Sequence, residues 1–400
     1  MQQIGRPRNI SGIDHDKHPN REKQLHLEHT LQVMEVRARL AQQVFTLEMP
    51  DDFWFPDVEP MLQALREQYG VEAVVRTCLS EEPITYQLEP PEWYDDELRW
   101  IGQHVHVTGP WAQVKTWGLS NVLRIPTTDG DVYFKALSQA STEPGALPFL
   151  FAHEPRFLQL ASTDRPGEVP APIAIDEQRA WMLLPGLGTP LAQETDVSLW
   201  IDAVRNHARL QRSYAAEPER LLEYSCADRR LAVLDTELDR LLEPNKLTRR
   251  LDPAALATLP DRAKQLREAI TELAAIGVPE TLLHGDLHPR NLAVRDRKVL
   301  AFDWTDAALA HPFLDLVTFV EKRSPLSADQ RVRDAYLAEW EEYAAPAELR
   351  RAVELAEELG TLYQTITYLH LVDHLTGPSQ ATILRGGDFW MKHLLAVQDR

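Results

Sequence analysis

One stretch of the chain concentrates residues that can do chemistry. It reads His284-Gly285-Asp286-Leu287-His288-Pro289-Arg290-Asn291, and Asp303 follows in Leu300-Ala301-Phe302-Asp303-Trp304. An aspartate, an asparagine five residues on, and a second aspartate twelve residues further is the spacing of a kinase catalytic loop and its metal-binding carboxylate. Such a set moves the γ-phosphate of a nucleotide onto an acceptor. Phosphoryl transfer asks a protein mainly for positioning and for neutralising charge. In that chemistry Asp286 accepts or orients the proton of the attacking hydroxyl. Asn291 and Asp303 offer the hard oxygen ligands that Mg2+ requires. His284 braces the loop by hydrogen bonding, and Pro289 keeps the loop from winding into a helix.

A bare His-x-Asp is commonly structural, and His284, Asp286 and His288 can also be read as the metal cluster of a hydrolase. That second reading leaves Asn291 and Asp303 without a use. Two upstream residues fit the first. Lys135 sits in the apolar strand pattern Val132-Tyr133-Phe134-Lys135-Ala136-Leu137, where its charge is costly unless it meets a phosphate or a carboxylate. Glu154, early in the next helix, is the natural partner, with Glu143 as a rival. The plainer readings are an edge-strand lysine in solvent and a carboxylate at a helix N-terminus. Trp117-Gly118-Leu119-Ser120-Asn121 lies between two strands, where a phosphate-covering loop belongs, and Ser120 could touch phosphate there. With a single glycine it reads equally well as an ordinary hairpin turn.

These residues need elements to hold them. Residues 1–24 read as a flexible polar arm and residues 25–95 as an accessory α/β unit. Within that unit, apolar spacing from Leu25 to about Phe45 predicts a helix, Val58 to Tyr69 a second, and Glu72–Leu79 and Ile84–Leu88 two strands. Residues 96–185 read as a strand-rich small lobe. The strands Gln113–Trp117, Val122–Pro126 and Val132–Leu137 precede a helix from Pro148 to Ala161 and a strand pair between Ile173 and Leu184. The Asp129-Gly130 step is a strong hairpin signal. Leu183-Leu184-Pro185-Gly186-Leu187-Gly188 breaks the pattern as a hinge would. Residues 186–400 read as a helical large lobe. Its helices are expected from a cap at Asp196 or Ser198, then over 217–243, 253–276, 327–343 and about 346–375, interrupted only at 281–305.

Composition narrows the partners. The chain has 61 acidic and 42 basic residues and a net charge of −19, a poor surface for gripping nucleic acid. Cys78 and Cys226 have no paired spacing that would suggest a disulfide framework or a zinc site. No apolar run approaches a membrane span. The first residues lack the apolar centre of a secretory signal, so a cytoplasmic location is expected.

The motif residues, followed by Phe302-Asp303-Trp304 and His311-Pro312-Phe313-Leu314-Asp315-Leu316, resemble the aminoglycoside phosphotransferase and choline kinase family. Val132-Tyr133-Phe134-Lys135 and Trp181-Met182-Leu183-Leu184 agree with its small lobe and hinge. The resemblance spans about residues 100–375. It implies an α+β, two-lobed protein-kinase-like fold, to which this chain adds its N-terminal α/β extension. It also implies a kinase using ATP or GTP with Mg2+ and a small hydroxylated acceptor. By it Asp286 is the catalytic base, Asn291 and Asp303 bind the metal, and Lys135 with Glu154 positions the phosphates. Leu184 and Gly186 take the adenine through backbone groups, and Asp315 supports the loop. Arg290 stands where a glycine is frequent in the family. The acceptor candidates are Trp304, Asp306, Tyr363, Thr367, His370 and Asp373; plain packing is the alternative for each. A nucleotide-binding pseudokinase that docks a partner is the competing reading. A protein kinase is disfavoured, because no Ala-Pro-Glu segment follows Asp303.

Overall fold

The computed structural model describes residues 33–137, 153–320 and 324–396. The arm expected over residues 1–24, the rival Glu143 and the start of the helix expected from Pro148 lie outside them.

The chain opens with strands β1 (Val33–Leu40) and β2 (Gln43–Pro50), helix α1 (Glu59–Tyr69), and strands β3 (Val74–Glu81) and β4 (Ile84–Glu89). The four strands form one sheet in the order β2-β1-β4-β3, with β1 and β4 parallel. The helix expected from Leu25 to Phe45 is therefore a hairpin where the structure describes it. Val36 and Ala38 face the core while Glu35, Arg37 and Arg39 face solvent, a period of two that the apolar spacing had masked. Ala41, at φ 52°, turns the chain between the strands. Helix α1 begins with Pro60 in its first turn and ends at Gly70 in the left-handed conformation. Its buried Met61, Leu62 and Leu65 close the small core over Val36, Leu47 and Tyr86.

Helix α2 (Asp95–Ile101) leads into strands β5 (Ala112–Thr116), β6 (Asn121–Thr127) and β7 (Gly130–Ala136). Helix α3 (Glu154–Asp164) and strands β8 (Ala174–Asp176) and β9 (Trp181–Pro185) complete a five-stranded antiparallel sheet in the order β5-β6-β7-β9-β8. Its outer face carries Leu123, Ile125, Phe134 and Leu183 against Ile101 and Tyr94. The inner face, with Met182 and Leu184, packs into the main core beside Phe157 and Leu158 of α3.

Strand β10 (Thr189–Pro190) and helix α4 (Val197–Ser213) begin the helical part, with Asp196 capping α4 by accepting the Ser198 N–H. Then come α5 (Arg220–Glu223), β11 (Ala227–Asp228), α6 (Leu231–Leu242) and α7 (Pro253–Ile276). The continuous helix expected over 217–243 is broken, because Ser225 adopts φ 68° and β11 pairs with a distant strand. Strands β12 (Thr281–Leu283), β13 (Leu292–Arg295), β14 (Lys298–Ala301) and β15 (Ala308–Ala310) carry the motif. Helices α8 (Leu316–Phe319), α9 (Gln330–Ala338), α10 (Pro346–His374) and α11 (Gly377–Ala396) close the chain. Helix α9 is shorter than the expected 327–343, since Asp329 caps its start. Among the described residues no helix is long and apolar enough to cross a membrane, and Cys78 and Cys226 are free and buried.

Candidate active site

Strand β7 projects Lys135 from the inner face of the five-stranded sheet. Its ammonium donates to Glu154 Oε2 at 2.7 Å and to Asp303 Oδ1. Glu154, 1% exposed in the first turn of α3, accepts the Trp304 N–H on its other oxygen at 2.9 Å. One carboxylate thus ties β7 to the segment that follows β14. Burial alone would strip the proton from Lys135, but Asp303 and Glu154 override it and lift the pKa far above the usual lysine range. Burial would likewise raise Asp303, yet Lys135 and Lys115 hold it well below the ordinary carboxylate range. Asp303 sits at φ 63°, an unusual backbone for a side chain and one that aims its oxygens back into the cleft.

The motif loop leaves β12 and is held from beneath. Asp315, 1% exposed, accepts the N–H of His284 at 3.0 Å and that of Gly285 at 2.8 Å. It also meets His207 Nε2 at 2.8 Å and Gln211 Nε2 at 3.1 Å. Gly285 is at φ 85°, and a Cβ there would stand 2.6 Å from the Asp306 carbonyl oxygen, so only glycine fits. Its own carbonyl accepts from Gln364 of α10 at 2.7 Å. Burial pushes His284 down to about 4, against the opposing charge of Asp315. The imidazole is therefore neutral. Its Nδ1 accepts the Asp286 N–H and its Nε2 donates to the Phe302 carbonyl at 3.0 Å, which bridges the loop to Asp303.

Asn291 Nδ2 donates to the Asp286 carbonyl at 3.1 Å and lies 3.5 Å from Asp286 Oδ2. This fixes the amide so that its carbonyl oxygen is the free end. His288 Nε2 stands 3.5 Å from Asp286 Oδ2. The enclosing walls of the cleft raise the Asp286 pKa, with His288 opposing and Asp303 adding to the rise. The arrangement sets a carboxylate of raised basicity beside a strongly acidic one, with the half-buried Lys135 ammonium across the cleft. Among the described residues no three His, Cys, Asp or Glu side chains converge as a metal cage.

The other predicted residues fall in different places. Trp304 is 0% exposed and packs against His284 and Phe157; it supports the loop and cannot reach an acceptor. Asp306 Oδ1 is buried without a partner, and burial together with Asp286 and Asp303 pushes its pKa up to about 8. Tyr363 lies under the Arg229 guanidinium, 3.9 Å from the ring centroid, and Thr367 accepts from Arg229 at 2.6 Å. His370 pairs with Glu237 of α6 at 2.8 Å and Asp373 with Lys246 at 3.2 Å. Ser120 borders a cavity of about 10 Å³ with Lys135, Glu154, Met182 and Thr305. Leu184 pairs with Tyr133 inside the sheet. Gly186 donates its N–H to the Asp131 carbonyl at 2.9 Å and accepts from Arg295 at 2.8 Å, so both of its backbone groups already have protein partners.

Sequence reading missed His207, Gln211, Gln364, Arg229 and Lys115. Each reaches the site from a distant element, and no local spacing signals that.

A strand-rich lobe set on a helical lobe, with a lysine, a glutamate and two aspartates converging where they meet, defines a protein-kinase-like phosphotransferase. The model of the phosphotransferase enzyme family matches residues 116–352, and the chain belongs to that family. Its membership makes the chain a phosphotransferase. No curated protein sequence matches the chain. Among solved structures it is similar to a choline/ethanolamine kinase family protein from Mesorhizobium loti at 18% identity and a TM-score of 0.53, over 76% of this chain and 96% of that one. It is also similar to the choline kinase LicA from Streptococcus pneumoniae, at 11% identity and a TM-score of 0.53, over 76% and 99%. The GDP and kanamycin complex of APH(2")-IIia matches at 15% identity and a TM-score of 0.54, over 77% and 99%. At such identities the likeness establishes the fold.

Proposed function

We propose that the protein is a magnesium-dependent kinase that transfers the γ-phosphate of ATP or GTP to a hydroxyl of a small metabolite or antibiotic. The observation that carries this reading is the half-buried Lys135 shared between Glu154 and Asp303, across the cleft from Asp286. A lysine so placed keeps its charge and presents it where phosphates would lie. The donor set also suits Mg2+. Asp303 offers an ionised carboxylate, and Asn291 a carbonyl oxygen left free because its Nδ2 is engaged by Asp286. Two hard oxygens are what this ion takes from protein when the nucleotide supplies the rest. The ion would contribute neutralisation of phosphate charge.

The chain's own residues do the remainder. Asp286 takes the proton of the acceptor hydroxyl as its oxygen bonds to the γ-phosphorus and the bond to the β,γ-bridging oxygen breaks. Its raised pKa strengthens it as a base near neutral pH. Asn291 fixes the Asp286 main chain, and Asp315 fixes the two residues before it. The similar structures are named for choline, ethanolamine and kanamycin, molecules that share hydroxyls and are otherwise unlike, so the class of acceptor is set by screening. An ADP- and GDP-release screen across aminoglycosides, amino alcohols, sugars and nucleosides tests the reading directly. Turnover should vanish with EDTA and return with Mg2+. Asp286→Ala should bind nucleotide yet transfer nothing; wild-type turnover in that variant would refute the assigned role.

A further inference from the structure

The edge strand β5 contains an irregularity with a chemical consequence. Gln113 pairs with Leu123, but Lys115 pairs with Val122, so Val114 is an extra residue in the ladder. In an unbroken register Lys115 would oppose Asn121 and point to the outer face, as Gln113 does toward Val75 and Tyr94. The bulge turns it to the inner face instead. There Lys115, Val122, Lys135 and Met182 form one cross-strand row. Two lysines therefore face the cleft side by side, with their strands roughly 10 Å apart.

The Lys115 ammonium is held by aromatic faces. It lies 5.2 Å from the Trp54 ring centroid and 5.7 Å from that of Trp117, and the two rings are 6.2 Å apart. Trp54 comes from the N-terminal unit, which is joined along β5 by the Thr116 N–H to the Pro56 carbonyl and by the Val58 N–H to the Val114 carbonyl. Among the described residues no carboxylate forms an ion pair with Lys115; its charge acts on Asp57, whose backbone bridges to it from the N-terminal unit, and on Asp286 and Asp303 in the cleft. The adjoining loop has one glycine, and the Gly118 N–H already donates to Ser379 Oγ of α11 at 2.8 Å. The Trp117 N–H is likewise taken, by the Ser120 carbonyl at 3.1 Å, so two of the loop's backbone donors are turned away from a phosphate.

We propose that Lys115 grips the terminal phosphate of the bound nucleotide, in place of glycine-loop amides, and that Trp54 of the N-terminal unit holds it there. This rests on the nucleotide-kinase reading above. It assigns the N-terminal unit a part in catalysis: it walls the cation that meets the phosphate to be transferred. A point charge on a stem packed between two rings is positioned at little entropic cost.

The test is calorimetric binding of the full chain with Mg2+, using AMP-PNP and GMP-PNP against ADP and GDP. Lys115→Gln should weaken the triphosphate analogue about 10-fold or more, as expected for one lost charge-assisted contact. It should leave the diphosphate within about twofold, because only the terminal phosphate loses a partner. Lys115→Arg should restore most of the difference. Equal binding of both ligand types by Lys115→Gln and wild type would overturn the proposal. So would equal weakening of both, which marks a merely structural lysine. If wild type itself binds neither triphosphate, the kinase reading fails and this proposal goes with it, an outcome distinct from the other two.

Discussion

Asp315→Asn is the sharpest probe of how the loop is held. Four donors converge on that carboxylate: the His284 and Gly285 N–H groups, His207 Nε2 and Gln211 Nε2. An asparagine keeps the shape but replaces one acceptor oxygen with an NH2 group. In its gentlest placement the amide nitrogen faces the Gly285 N–H, which lies on Oδ1 while the other three share Oδ2. One buried donor then loses its acceptor, at about 1–3 kcal/mol, and three bonds lose their charge assistance, at about 0.5–1 kcal/mol each. The sum is a destabilisation of about 4 kcal/mol, in the range seen when a buried charge network is broken. The freed Gly285 also lets Asp286 drift, and about 1 Å of misplacement lowers kcat about 100-fold. Nucleotide KM should change little, because Lys135 and Glu154 are anchored elsewhere. Urea unfolding and steady-state kinetics on purified protein decide the matter. A variant within about 1 kcal/mol of wild type, with kcat within about threefold, would show that Asp315 does not organise the loop.

Other perturbations read other contacts. Lys135→Met removes the cation common to Glu154 and Asp303 and should lower kcat/KM for nucleotide at least about 100-fold; an unchanged value in a coupled assay would dissociate Lys135 from the phosphates. Gly285→Ala forces a Cβ into the Asp306 carbonyl and a left-handed backbone costing about 1–2 kcal/mol. It should fold, by circular dichroism, yet turn over far more slowly than wild type; normal turnover would contradict the close packing. Asp306 makes a pH prediction. Its pKa is raised from 3.8 to about 8, so between those values the unfolded chain binds fewer protons at this site. Its contribution to stability therefore declines as pH rises from about 4 to about 8. Asp306→Asn should flatten that part of the stability profile measured by denaturant titration between pH 5 and pH 8.5 (a range chosen about the shifted pKa), and an identical slope would rule the shift out.

The parts of this protein that could be read from sequence are those in which neighbours along the chain act together. Asp286, Asn291 and Asp303 lie within one loop and hairpin, so their spacing nearly fixes their proximity. Lys135 stood out because a charge in an apolar strand needs a partner, and Glu154 was the nearest candidate in the helix that follows. Errors arose where two patterns share the same residues. Val33 to Val44 satisfies helical spacing as well as alternation, and the pairing of β1 with β2 and β4 settles it as strand. The helix expected over 217–243 fails for a similar reason, since β11 is stabilised by β15, eighty residues away in sequence. Trp304 looked available to a substrate because it adjoins Asp303, and packing instead turns it entirely inward.

By itself the sequence determined the reaction chemistry: two carboxylates, an asparagine, a lysine and its glutamate, in an order that suits phosphoryl transfer. Those groups are specified by residue type and short-range geometry, which the chain carries locally. Tertiary structure decided which side chains hold them and from where. Asp315 and Gln364 reach the loop from other helices, and a one-residue bulge turns Lys115 toward the cleft while the N-terminal unit walls it in. Such contacts depend on strand register and on helix faces meeting across the fold, and small differences in packing energy settle these only when the whole chain is assembled.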